Sequence, residues 1–72
     1  MIKFRTESGS IYTLYDDESR WESTSVNTRT KGGEMHSHSE VVVGQPVLIT
    51  GPGLMLGARL IETTPVVEII NG

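Results

Sequence analysis

The feature that most constrains this chain is its supply of β-branched residues. Val, Ile and Thr make up 21 of its 72 residues, whereas Ala occurs once. β-Branched side chains lose rotamer freedom in helices and pack well in strands. Eight Gly and three Pro interrupt the chain at short intervals, and no window has the apolar spacing of an amphipathic helix. The sequence therefore predicts an all-β protein.

The chain is also short for a self-sufficient fold. Its 72 residues and 7.9 kDa fit one domain, residues 1–72. At that size the burial of apolar surface barely offsets the conformational entropy of ordering the chain, so self-association is an attractive source of stability. We expect a small barrel or sandwich of five to seven short, mostly antiparallel strands that forms a homo-oligomer.

Apolar patterns and breakers place the expected strands. Ser8-Gly9, Gly32-Gly33 and Gly51-Pro52-Gly53 are typical of turns. Segment 23–40 is irregular, and either a flexible loop or an irregular strand pair fits it. The last strand is apolar at both parities, which predicts a core face or a subunit interface there. The expected strands are Ile2–Glu7, Ser10–Tyr15, Arg20–Thr24, Val47–Thr50, Leu54–Glu62 and Val66–Ile70, with Thr28–Lys31 as a possible seventh. Val41–Val43 is expected to resume order after the irregular segment.

Composition excludes several classes of function. Cys is absent, so no disulfide framework, thiolate nucleophile or cysteine-ligated metal is expected. The longest apolar run has three residues, and Met1–Arg5 lacks the apolar stretch of a signal peptide. The net charge of −3 argues against general nucleic-acid binding. We therefore expect a cytoplasmic protein with no membrane segment and no cofactor.

One run of residues has the spacing of a weak metal site. On a strand, Glu34, His36, His38 and Glu40 would share one face, and two imidazoles with a carboxylate can bind a metal ion. A polar, solvent-facing strand explains the same pattern, and so does a pH-sensitive pair of imidazoles. We expect no metal, with His36 and His38 as the candidates if one binds.

Basic, hydroxyl and aromatic residues suggest an anion site. Guanidinium groups bind phosphate in a bidentate manner, Thr hydroxyls donate to it, and aromatic rings stack on bases. Each residue also has a structural explanation: the arginines can pair with glutamates across a sheet (Arg59 with Glu62 or Glu68), and the aromatic rings can anchor a core or an interface. The candidate ligand-binding residues are Arg59, Arg20, Trp21, Tyr12, Arg29, Lys31, Thr63 and Thr64.

No pattern in the sequence identifies a reaction. None of the fifteen Ser and Thr residues lies in a nucleophile elbow. The glycine pairs do not match a phosphate-binding loop, and no helix follows them to add its dipole. We therefore expect a protein that is not an enzyme.

The two ends of the chain carry a resemblance. The segments are Thr6–Tyr12, then Trp21, Val43–Ile49, Arg59 and Thr63–Ile69. Their order resembles that of short β-rich proteins encoded by actinobacterial phages, with an SGS-x-Y hairpin at the start and a T-[ST]-P-V-x-x-I end. The likeness covers roughly half of the chain, because 23–40 has no counterpart. Its motifs are structural in character.

That resemblance implies a phage origin and a small β-fold. Because phages use small oligomeric β-proteins against host defences, it suggests a non-enzymatic accessory protein in the host cytoplasm. We expect a homo-oligomer that sequesters a small anionic nucleotide signal at a subunit interface. Two alternatives stay open: an interaction module that inhibits a host protein through an apolar face or a strand edge, and a small structural or decoration protein of the virion.

Overall fold

The computed structural model describes residues 1–24, 30–52 and 58–72. In these ranges the chain forms strands and one short 3₁₀ helix, Asp16–Glu18, and contains no helix that could cross a membrane. The all-β prediction is confirmed, although eight strands exceed the five to seven expected. They are β1 (Ile2–Thr6), β2 (Ile11–Tyr15), β3 (Arg20–Thr24), β4 (Thr30–Glu34), β5 (Ser37–His38), β6 (Leu48–Pro52), β7 (Ala58–Glu62) and β8 (Val66–Asn71).

The strands form two antiparallel sheets. The larger has the order β4-β3-β2-β1-β8, and the smaller has the order β5-β6-β7. The chain changes sheets between β4 and β5, where the Met35 N–H donates to the Ser19 carbonyl (2.8 Å) and the His36 N–H donates to the Thr50 carbonyl (2.7 Å). It changes again between β7 and β8, at 63–65. These corners hold the inner faces of the two sheets against one core.

Period-two alternation places the core on the inner face of each sheet. Phe4 and Leu14 alternate with the polar residues of β1 and β2 and are fully buried, as Ile49 of β6 nearly is. An aromatic stack runs across the larger sheet: the Phe4 and Tyr12 ring centroids are 5.4 Å apart, and those of Tyr12 and Trp21 are 6.2 Å apart. The remaining buried apolar side chains are Met35, Val47 and Val66.

Gly32-Gly33 does not form the predicted turn. Both residues lie inside β4, paired with Glu22 and Trp21 of β3. A Cβ at Gly32 would stand 2.6 Å from the Trp21 carbonyl oxygen, so close approach of two backbones accounts for a glycine there. The prediction failed because this approach is a tertiary property that a local glycine pair does not reveal.

Two further segments can be compared with the expectations. Val41–Val43, where order was expected to resume, forms no named strand, and Val43 makes an isolated parallel bridge to Val66. Gly51 and Pro52 were expected in a turn but end β6. The predicted strand Leu54–Glu62 is described only from Ala58, since 53–57 lie outside the described residues.

Strand β8 lies at an edge of the larger sheet and contains two β-bulges. Phe4 pairs with Ile69 and Arg5 with Glu68, whereas Val67 and Ile70 are extra residues between successive pairs. Paired residues share a face, so Ile69 lies on the inner side with Phe4 and Glu68 on the outer side with Arg5. The bulges thus explain why apolar residues occur at both odd and even positions of this strand. Each bulge exchanges the faces on which the following side chains lie, and two bulges fall within its six residues.

Candidate functional site

Arg20, a predicted anion ligand, is already paired. Its Nε donates to Oε1 of Glu18 (2.8 Å), and its Nη1 donates to Oε1 of Glu22. Its guanidinium carbon also lies 4.0 Å from the ring centroid of Tyr15. The hydrogen bonds to the carboxylates of Glu18 and then Glu22 raise the pKa of the guanidinium above its usual value. An anion would have to compete with two carboxylates for this side chain.

Trp21 and Tyr12, the two aromatic residues among the candidate ligand-binding residues, lie on the other face of that sheet. Trp21 follows Arg20 in β3, so its side chain lies on the opposite, inner face, where it is 8% exposed. Tyr12 is half-buried on the same inner face, stacked between Phe4 and Trp21. The structure therefore places both aromatic rings in the core stack, apart from the Arg20 guanidinium.

Thr63 and Thr64 form hydrogen bonds at the corner between β7 and β8. The Val47 N–H donates to the buried Oγ1 of Thr63 (3.0 Å), and that hydroxyl donates to the Thr64 carbonyl (2.7 Å). The Ser8 N–H donates to Oγ1 of Thr64 (3.3 Å), which ties the corner to the β1–β2 turn. Because Arg20 lies at the opposite end of the larger sheet from this turn, the structure does not bring the threonines and Arg20 together.

The other three basic candidates are Lys31, Arg59 and Arg29, and for the first two the structure gives a position in a strand. Lys31 lies in β4 opposite Ser23, and Arg59 lies in β7 of the smaller sheet opposite Gly51. Arg29 lies outside the described residues. Glu68, an expected partner of Arg59, instead pairs with Arg5 at 3.1 Å. An anion site built from Arg29, Lys31 and Arg59 stays a prediction.

His38 links the two sheets. Its Nε2 lies 2.9 Å from Oδ1 of Asp16, in the 3₁₀ helix after β2, and its Nδ1 lies 2.7 Å from the Ser39 carbonyl oxygen. Carbonyl and carboxylate oxygens only accept hydrogen bonds, so the ring nitrogen that carries a proton donates to the oxygen that faces it. His36 is exposed, and no three His, Asp or Glu side chains of the described residues are grouped to hold a metal ion.

The Asp16→Asn variant should be less stable than wild type. It loses the contact between the Asp16 carboxylate and the His38 ring, whose side chains are 55% and 15% exposed respectively. We expect that loss to cost about 0.5–1 kcal/mol. Thermal melts of the variant and of wild type measure it.

Asp17→Asn is the matched control, because Asp17 is an exposed acid in the same short helix. The control should lower the melting temperature by less than about 2 °C. Equal melting temperatures of the two variants would show that the Asp16–His38 contact does not contribute to the free energy of unfolding.

Two exposed apolar surfaces of the described residues have no role in the contacts above. The first, the β8 strip, consists of Val67, Ile69 and Ile70, which are 42–47% exposed. The second, the Leu48 groove, encloses about 350 Å³. The sequence indicated the β8 strip through its two-sided pattern. It gave no signal for the groove, which is formed by the stretch 39–48 together with Glu62 of the neighbouring strand. Apolar residues Val42, Pro46 and Leu48 and carboxylates Glu40 and Glu62 line the groove.

Comparison of the chain with protein-family models, with curated proteins and with solved structures finds no match.

Proposed function

We propose that this protein is a non-catalytic interaction protein that acts as a homodimer, with the β8 strip at the centre of the dimer interface. The observation that carries the proposal is the exposure of Val67, Ile69 and Ile70 along an edge strand. Soluble monomers rarely leave such apolar patches and strand edges uncovered. In the described residues, eight large apolar side chains are exposed against seven that are buried.

Within the part of the chain that the structure describes, the outer edge of β8 is covered at its first residue alone. The Gly44 N–H donates to the Val66 carbonyl (2.8 Å), and the Val66 N–H donates to the Gln45 carbonyl (2.9 Å). Beyond Val66, no described strand pairs with the outer edge of β8. The bulges bend this edge and interrupt a regular ladder, so a partner would be held chiefly by the apolar side chains.

A second copy of the chain is the partner that suits this surface. The only charged residue in β8 is Glu68, and Arg5 neutralises it at 3.1 Å on the outer face. Two β8 strips can therefore meet about a twofold axis with apolar residues facing apolar residues and without repulsion between like charges. The small chain would gain from the partner the apolar burial that it lacks alone.

Analytical ultracentrifugation of wild type and two variants tests the dimer. Wild type should sediment with twice the chain mass of 7.9 kDa at tens of micromolar, and Ile70→Lys should raise the dissociation constant at least about tenfold. Leu60→Lys is the control, because Leu60 is 62% exposed on the edge strand of the other sheet. A monomeric wild type, or a dimer that Leu60→Lys disrupts while Ile70→Lys does not, would overturn the proposal.

The finer expectations from the sequence stay predictions. A phage accessory protein in the host cytoplasm that sequesters an anionic nucleotide rests on the resemblance and on basic residues that include Arg59 and Arg29. A dimer would offer such a ligand room between subunits that a 72-residue chain cannot enclose alone. Inhibition of a host protein and a role in the virion stay open in the same way.

A further inference from the structure

We infer that the Leu48 groove binds an extended segment of another protein that carries one apolar side chain beside Lys or Arg. The groove lies on the outer face of the smaller sheet, since Leu48 pairs with Glu62 while the next residue, Ile49, is buried in the core. It is therefore separate from the β8 strip, which belongs to the larger sheet, and the inference does not depend on the dimer.

The apolar part of the groove sets the kind of anchor it accepts. Val42 is 41% exposed and Leu48 is 39% exposed, and half-buried Pro46 lies between them in the chain. A space of about 350 Å³ lined in this way accommodates one or two aliphatic side chains, and their burial releases water from both partners. A free cation or a nucleotide would leave this apolar surface uncovered.

The charges of the groove determine which residues can flank the apolar side chain of the bound segment. Glu40 and Glu62 are both exposed carboxylates, and none of the seven residues that line the groove is basic. A Lys or Arg on either side of the apolar anchor would meet a carboxylate at the groove, whereas an acidic segment would be repelled. Nucleic acid is disfavoured by the same charges.

Hydrogen bonds hold the groove in place. The Ser39 N–H donates to the Leu48 carbonyl (2.9 Å), and the Leu48 N–H donates to the Ser39 hydroxyl (2.9 Å). These bonds extend the β5–β6 pairing to the residue just before Glu40. A preformed site of this kind binds a flexible peptide without ordering its own backbone, which lowers the entropic cost of association.

Fluorescence anisotropy with two labelled probe peptides tests the inference. The probes are an octapeptide of alternating leucine and lysine and one of alternating leucine and glutamate. We expect the lysine peptide to bind at least about tenfold more tightly, and about 0.5 M NaCl to weaken it. The double variant Glu40→Gln/Glu62→Gln should lower its affinity about tenfold, and Val42→Ser should lower it about threefold.

Two controls locate the binding. Glu7→Gln/Glu34→Gln removes the same charge from exposed sites elsewhere and should leave the affinity unchanged. Ile70→Lys should also leave it unchanged, because it alters the β8 strip alone. Equal binding of both peptides, or loss of binding in either control but not in the groove variants, would overturn the inference. A change of oligomeric state in Val42→Ser would instead identify a second copy as the occupant and overturn it too.

Discussion

Replacement of Gly51 by alanine is expected to lower the melting temperature by about 15 °C, through a loss of about 3 kcal/mol. Gly51 is buried in β6 where the corner between β4 and β5 crosses it. An added Cβ would stand 2.4 Å from the Glu34 carbonyl oxygen, and Met35 follows at 3.9 Å. A backbone atom cannot rotate away, so the corner that joins the two sheets would have to move.

The matched control for this prediction is Gly33→Ala. Gly33 is also a strand glycine, but an added Cβ there would meet only the Trp21 Nε1 atom at 3.6 Å, an ordinary contact. Alanine should be tolerated at this position, and the smaller entropy loss on folding favours it slightly. Circular dichroism melts of both variants give the comparison. Equal stability of the two would mean that the corner is not as closely packed as the structure has it.

The sequence predicted the strands whose two faces differ. Residues of β1, β2 and β3 alternate between apolar and polar, or between bulky and small, and a period of two identifies a strand without knowledge of its neighbours. Arg20–Thr24 was predicted with the bounds that the structure has.

Errors arose where distant parts of the chain decide the local structure. Gly32 is needed because the Trp21 carbonyl approaches it, and the bulges at Val67 and Ile70 depend on pairing with β1. Neither constraint is encoded in neighbouring residues. The link from His38 to Asp16 joins residues 22 positions apart, which no spacing rule would connect.

The candidate site was harder to predict than the fold, because a residue type suits several roles. Arginine binds phosphate, but Arg20 has a glutamate two residues away on each side, and both hold it in the structure. Side chains two residues apart share a face of a strand, so Arg20 and Glu22 share a face of β3. That spacing in the sequence could have indicated the ion pair. By contrast, the Leu48 groove requires the turn after Val42 to be known before its residues can be grouped.

Trp21→Ala is expected to be among the most destabilising single substitutions, with a loss of about 3–4 kcal/mol and a fall of about 15–20 °C in melting temperature. The indole is 8% exposed, stacks on Tyr12 at 6.2 Å and covers Gly33. Removing it would open a cavity between the larger sheet and the core. Thermal melts followed by circular dichroism measure the loss, since the variant has no tryptophan fluorescence.

Trp21→Phe separates a core role from the ligand-stacking role that the sequence suggested. Phenylalanine keeps an aromatic ring against Tyr12, so most of the stability lost in Trp21→Ala should be regained. Tyr15→Ala controls for loss of an aromatic ring on the outer face, where the ring contacts Arg20, and should cost less than half as much. If Trp21→Ala kept the wild-type melting temperature, the indole would be free for a ligand, and the core described here would not depend on it.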